Sequence, residues 1–233
     1  MISAYSKQDL ENYLKDDWIL REIKKYPEDD IFMSQKWLFD IPAKRMIYAD
    51  VYGDLLKTKG KKILDIAGGF CGFSRKLLTN HDYTLVDIMT AGCGEKLKEI
   101  EKEAGKSFWQ NKDWIEFEPG DSYDVIIAND IFPNVDQRFG QFLRKFENRA
   151  KRIIVTITTH DQKSGLADFA EKMMSYIYNK IKRVNGDKII FVRVPTTLET
   201  NQILKENIEN APILEKGKES IFKNGRTVHK IEI

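Results

Sequence analysis

Ile63-Leu64-Asp65-Ile66-Ala67-Gly68-Gly69-Phe70-Cys71-Gly72-Phe73-Ser74 is the stretch whose reading decides the fold. Ile63 to Ile66 is a short apolar run holding one acid, the pattern of a parallel strand buried on both faces. Ala67 to Gly72 contains small residues apart from Phe70, and Phe73-Ser74-Arg75-Lys76-Leu77-Leu78 begins a helical pattern. A strand, a tight glycine turn and a helix start predict a nucleotide-type site. Small residues let a ligand approach the backbone, and the helix end offers N–H groups that have no partner within the helix. The turn lacks the Gly-Lys-Ser/Thr of a phosphate-binding P-loop and fits G-x-G-x-x-G poorly. Asp65 would repel a pyrophosphate and suits a ligand that carries an amino group.

Downstream, Tyr83-Thr84-Leu85-Val86-Asp87-Ile88-Met89 is a second short strand ending in an acid. Asp87 follows Asp65 by 22 positions, about one turn–helix–strand unit, where a carboxylate accepts both hydroxyls of a ribose. Nicotinamide enzymes use the same device, so Asp87 alone does not name the nucleotide. Further apolar runs at Tyr123–Asp130, Lys151–Thr158 and Lys188–Val194 alternate with helical patterns over 95–104, 139–148, 164–182 and 200–209. Segments 213–222 and 227–233 read as a closing hairpin. Ahead of the organising strand, 7–26 and 34–57 read as helices, the second divided by Pro42. The expected fold is therefore α/β: a doubly wound, mostly parallel seven-stranded sheet with an N-terminal helical cap. The cap spans 1–58 and the nucleotide-binding core 59–233.

The organising stretch resembles motif I of the class I S-adenosylmethionine (SAM) methyltransferases, D/E-x-G-x-G-x-G. Asp65, Ala67, Gly69 and Cys71 keep its frame, with Ala and Cys at two of the three glycine positions. It also looks like the D-L-x-x-x-P-G-G-x-S variant of ribose 2′-O-methyltransferases. Asn129-Asp130-Ile131-Phe132-Pro133-Asn134-Val135 resembles motif IV and its loop, with Asn134 where many relatives carry a histidine. The resemblance implies SAM as cofactor, held by Asp65, Ala67, Gly68, Gly69, Gly72, Asp87, Ile88, Met89 and Asn129. It also implies that Asp113 receives the adenine amino group and Trp114 lines the ring, and that the N-terminal helices lie over the cofactor and shape the acceptor pocket.

Two candidate bases end strands on the same edge: Asp130 and His160. A histidine near its ordinary pKa of about 6.5 serves as a base for a hydroxyl or amine at neutral pH. Asp130, His160 and Asp161 form a minority metal reading without a supporting spacing motif. Asp161 also reads as a helix cap. No metal is expected.

The balance of 38 basic and 36 acidic residues, net +2, weighs against a nucleic-acid footprint. No apolar run approaches the ~20 residues of a membrane span, and the first residues lack signal-peptide character. Cys71 and Cys93 make no disulfide framework, so a cytoplasmic chain is expected. The expected activity is methyl transfer to a small polar molecule, at oxygen rather than nitrogen, such as a nucleotide-linked sugar. An RNA 2′-O-methyltransferase, a non-catalytic SAM-binding subunit and a nicotinamide oxidoreductase are the alternatives. The first would need a Lys-Asp-Lys-Glu tetrad, with Asp130 as its acid and His160 standing where a lysine belongs.

Overall fold

A computed structural model describes residues 2–120, 122–161, 181–185, 188–217, 220–222 and 225–233. The helix expected over 164–182 falls outside them, apart from its last two residues, which belong to a strand. The strands are β1 (Ile2–Ala4), β2 (Lys62–Ile66), β3 (Asp82–Val86), β4 (Trp109–Gln110), β5 (Val125–Phe132), β6 (Ile153–Thr159), β7 (Ile181–Asn185), β8 (Lys188–Val192) and β9 (Thr227–Glu232). Seven form one sheet in the order β1-β9-β6-β5-β2-β3-β4, and β7 pairs with β8 in a separate antiparallel ribbon. β2 to β6 are parallel within the sheet, and β9 runs antiparallel to both of its neighbours.

Two sequence expectations change. Lys188–Val192 is a strand, but it joins β7 rather than the sheet, and three residues at the start of the chain occupy the sheet edge. The closing hairpin is absent because β9 pairs with β6 and β1, and the described part of 213–222 carries no strand.

The helices follow their local signals. α1 (Lys7–Leu14) starts on a Ser6/Asp9 capping box. The single helix expected over 7–26 breaks because Asp17 caps a new one, α2 (Trp18–Ile23), and is itself gripped by Arg45 at 2.7–3.0 Å. A 3₁₀ turn (Pro27–Ile31) and α3 (Met33–Asp40) follow. α4 (Pro42–Lys57) opens on its proline, as expected. α5 (Gly72–Asn80), α6 (Ala91–Ala104), α7 (Phe139–Phe146) and α8 (Thr197–Asn207) complete the set, α6 ending at Gly105 in the left-handed region.

Alternate strand residues feed two cores. Ile63, Tyr83, Leu85, Ile127 and Ile154 meet α2, α4, α5 and α6, together with Tyr5 and Phe32. Leu64, Ile66, Val86, Ile126 and Val155 meet α7, α8 and Trp114. Burial on both faces explains the unbroken apolar runs. The N-terminal helices therefore share a core with β2 and β3 and lie against the sheet. Among the described residues, no helix is long and apolar enough to cross a membrane.

Candidate functional site

The crevice lies beyond the carboxyl ends of β2, β3 and β5, where open α/β sheets bind ligands. After β2 the chain turns sharply, with Ala67 at φ 50° and Gly69 at φ 69°, and enters α5 at Gly72. The Gly69 N–H donates to Asp87 Oδ2 at 2.9 Å, so the turn and the acid after β3 are joined directly. Burial pushes the Asp87 carboxyl up to about 7, against the Gly69 and Ile88 N–H groups that favour its ionised form. Ile88 beside it is 53% exposed, unusual for an isoleucine next to a buried strand. Met89 is half-buried, its N–H aimed at Asn111 Oδ1.

The small residues of the turn serve the protein's own packing. A Cβ on Gly68 would lie 2.3 Å from Asp65 Oδ1, and one on Gly69 would lie 2.7 Å from Ser34. One on Gly72 would meet Tyr26 at 2.8 Å. Nor does the helix end offer free N–H groups, as the sequence led one to expect. The Gly72 N–H donates to Gln35 Oε1 (2.8 Å) and the Cys71 N–H to Ser74 Oγ (3.2 Å). Asp65 meets no cation. It is 2% exposed, covered by Gly68, and accepts hydrogen bonds from the Tyr52 and Tyr83 hydroxyls at 2.9–3.2 Å. Burial raises its pKa to about 7, opposed by those two tyrosines.

The other half of the crevice is built at the end of β5, where Asp130 sits at φ 62°. Its backbone N–H donates to Thr156 Oγ1, which in turn donates to Asn129 Oδ1, both at 2.8 Å. This fixes the Asn129 carboxamide and leaves its Nδ2 buried with no partner among the described residues. Both Asp130 oxygens are engaged, Oδ2 by the Lys44 ammonium and Oδ1 by Asn134 Nδ2 at 2.8 Å. Lys44 also stands 4.1 Å from the Trp37 ring centroid. A cavity of about 220 Å³ opens here. Lys44, Tyr48, Asp130, Asn134, Thr156 and Thr158 give it a polar side, and Arg226 joins them; Ile47, Phe222 and Val228 are apolar. Burial, then the charge of Asp130, raises the Tyr48 pKa, so its hydroxyl stays protonated.

Three sequence candidates lie elsewhere. Trp114 does not reach the crevice: it packs against Phe132, Phe142 and Phe146 in the second core, its indole N–H bonded to Asp136 at 2.8 Å. Asp113 is held by Arg138 at 2.8–2.9 Å. His160 does not line the cavity. Its backbone N–H donates to the Pro195 carbonyl, its Nδ1 is buried with no partner among the described residues, and its Cε1 lies near Gly225. The helix that Asp161 was expected to cap lies outside the described residues; its carboxylate instead accepts from the N–H and hydroxyl of Thr197, the first residue of α8, whose own cap is Thr196. His81 is structural, accepting from the Lys61 N–H and donating to the Leu55 carbonyl. His229 is buried beside Thr159, and burial lowers its pKa to about 4. Among the described residues, no group of three or more His, Cys, Asp or Glu side chains converges as a metal site.

Sequence reasoning missed Lys44, Tyr48, Ser34 and Gln35. Lys44 and Tyr48 line the cavity and Ser34 and Gln35 back the turn, each from a helix remote in sequence, and no local motif marks them.

No family model matches the chain, and no curated protein matches it in sequence. Among solved structures, magnesium protoporphyrin IX methyltransferase from Synechocystis PCC 6803 with bound SAM matches 98% of this chain with 98% of its own, at 14% identity and TM-score 0.50. The same enzyme with bound SAH matches 95% of this chain with 98% of its own, at 15% identity and TM-score 0.48. Mycolic acid cyclopropane synthase CmaA1, in its apo form, matches 87% of this chain with 74% of its own, at 14% identity and TM-score 0.49. At such identities the likeness is one of fold, and the chain has the class I methyltransferase fold.

Proposed function

We propose that the chain is a SAM-dependent methyltransferase that modifies a small polar molecule at oxygen. The carrying observation is the Gly69–Asp87 bond beside exposed Ile88, which leaves a ribose-accepting carboxylate and an apolar shelf at one strand end. Buried Asn129 Nδ2, a fixed donor lacking an acceptor among the described residues, supports a polar ligand at the adjoining strand end.

SAM, when bound, supplies a methyl group already activated by its sulfonium, so the chain's work is alignment and handling of a proton. In this reading Asp87 accepts the ribose hydroxyls, Ile88 and Met89 flank the adenine, and Ala67 and Gly69 form the near wall. Asp65, bonded to Tyr52 and Tyr83, packs beneath Gly68. The cavity under α4 receives the acceptor. The Asp130 carboxylate takes the proton that the acceptor hydroxyl releases, and the Lys44 ammonium beside it steadies the oxygen as its charge develops. His160 lies outside the cavity lining, which favours the Lys44–Asp130 pair as the group facing the acceptor.

The same ion pair favours a second reading. It supplies the first lysine and the acid of the tetrad in the ribose 2′-O-methyltransferases that motif I resembles. The net charge of +2 counts against an RNA substrate.

One experiment covers both readings. Calorimetry should give micromolar binding of S-adenosylhomocysteine (SAH), on the order of −8 kcal/mol. A SAH-release screen over hydroxylated small molecules and RNA oligonucleotides should then respond to the former. Absence of heat on folded protein removes the methyltransferase reading, and release with RNA alone replaces the first reading by the second.

A further inference from the structure

We propose that Gln35 of α3 is a positioning residue for the cofactor turn, which makes the N-terminal helices a working wall of the cofactor site. The proposal rests on the reading that SAM binds beside Asp87.

Gln35 is fully buried, and its carboxamide is used at both ends. Oε1 accepts the Gly72 N–H at 2.8 Å; Nε2 donates to the Tyr26 carbonyl at 2.8 Å and to the Ile23 carbonyl at 3.2 Å. One side chain thus joins the end of α2, the start of α5 and α3 itself. Next to it the Ser34 hydroxyl donates to the Phe70 carbonyl. The turn is strung between two supports: Ser34 and Gln35 hold Phe70 and Gly72 from outside, and Asp87 holds Gly69 on the ligand side. Ala67 and Gly69 lie in the left-handed region, which an alanine does not keep without such support. Moving Gly72 outward would draw Gly69 off Asp87 and turn the carboxylate away from the ribose. Gln35 touches no ligand in this arrangement and acts through the turn.

The same cap is tied to the same helix by a second, independent link. Asp29, fully buried, holds Arg75 at 2.6–2.9 Å, one turn further along α5. That link serves as the control.

The test compares Gln35→Leu, Gln35→Glu, Ser34→Ala and Asp29→Asn with the unaltered protein. It reads melting temperature, SAH affinity well below the melting point, and hydrogen exchange at the Gly69 amide. Gln35→Leu should weaken SAH at least tenfold and speed Gly69 exchange at least tenfold. Gln35→Glu, kept protonated by burial, retains an acceptor for the Gly72 N–H and an O–H donor for the Tyr26 carbonyl, and should restore affinity to within about threefold. Asp29→Asn should lower the melting temperature while leaving SAH affinity and Gly69 exchange unchanged. If Gln35→Leu and Asp29→Asn melt alike and neither alters affinity or exchange, Gln35 is merely structural and the proposal falls. If Gln35→Leu does not fold, Ser34→Ala decides: unchanged affinity and exchange overturn the proposal, and a loss in both upholds it. Failure of the unaltered protein to bind SAH removes the functional reading alone, because Gly69 exchange still reports what holds the turn.

Discussion

Asp87 and Asp65 are two carboxylates raised to about 7 by burial, with opposite prospects once a ligand arrives. Asp65 has both oxygens covered by tyrosine hydroxyls, whereas Asp87 Oδ2 holds the Gly69 N–H and the residue stays half-open to the crevice. Ribose hydroxyls donate to the ionised form, so a bound nucleoside pulls the Asp87 pKa down. SAH affinity should therefore rise with pH up to about 7 and level off above it, and Asp87→Asn should flatten the profile while weakening binding by about 1–3 kcal/mol. The free protein should respond in the opposite sense. Both carboxyls titrate higher when folded than the ~3.9 of an unfolded aspartate. Their contribution is fully present below about pH 4 and is lost as pH rises through about 7. Calorimetric titration between pH 5.5 and 8.5, about three units spanning the folded value, beside urea unfolding over the same range, checks both signs. A SAH affinity that does not change with pH would remove Asp87 from the ribose. The place of Asp87, just past the end of β3 and beside the turn, was legible from its spacing to Asp65. The burial of Asp65 was not, because the two tyrosines that cover it come from α4 and β3 and form no contiguous signal.

α4 shows how one element serves both halves of the crevice. Lys44, Tyr48 and Tyr52 recur every four residues and so share a face. From that face Lys44 reaches Asp130, Tyr48 lines the cavity, and Tyr52 reaches Asp65. The sequence marks this helix by Pro42 and its apolar anchors, but nothing in the helical pattern distinguishes a lysine aimed at a carboxylate from a solvated one. Lys44→Met keeps an unbranched side chain beside Trp37 and removes the charge. It should lower turnover about 10²-fold with SAH affinity unchanged, the cost of losing one preorganised donor. Full turnover in that variant, measured by SAH release, would locate the acceptor away from the cavity. Trp114 gives the converse lesson. Next to an acid and after a strand, it read as a ring-lining residue, yet its indole fills the core between β5 and α7. Sequence spacing brings a residue to the right loop without fixing which side of the sheet receives its ring.

For the whole molecule, the strand–turn–helix–strand unit from β2 to β3 was legible because each piece carries its own signal. The edge strand was not. Ile2-Ser3-Ala4 is too short for alternation to show, and its partner lies more than two hundred residues away. Tyr5 fixes that edge. Its N–H donates to the Val228 carbonyl, and its buried ring carries a hydroxyl bonded to Asp50 at 2.8 Å. Tyr5→Ala should lower unfolding free energy by about 3 kcal/mol, the range for deleting a buried aromatic. Urea denaturation measures it, and SAH affinity should persist because the crevice lies across the sheet. A loss below about 0.5 kcal/mol would mean that β1 is an ornament on β9 rather than part of the sheet.

That edge also sets an order of assembly. β6 reads Ile-Ile-Val-Thr-Ile-Thr-Thr, seven uncharged β-branched residues in succession, the composition that self-associates most readily when its backbone is bare. β5, which covers one side of it, is synthesised before it; β9, which covers the other, is synthesised more than sixty residues after it. While the chain is being made, β1 waits unpaired and β6 stays open on one flank until Thr227–Glu232 has emerged. A chain that stops short of β9 therefore exposes the most adhesive strand of the sheet, so its fate is aggregation rather than a slightly smaller copy of the same fold.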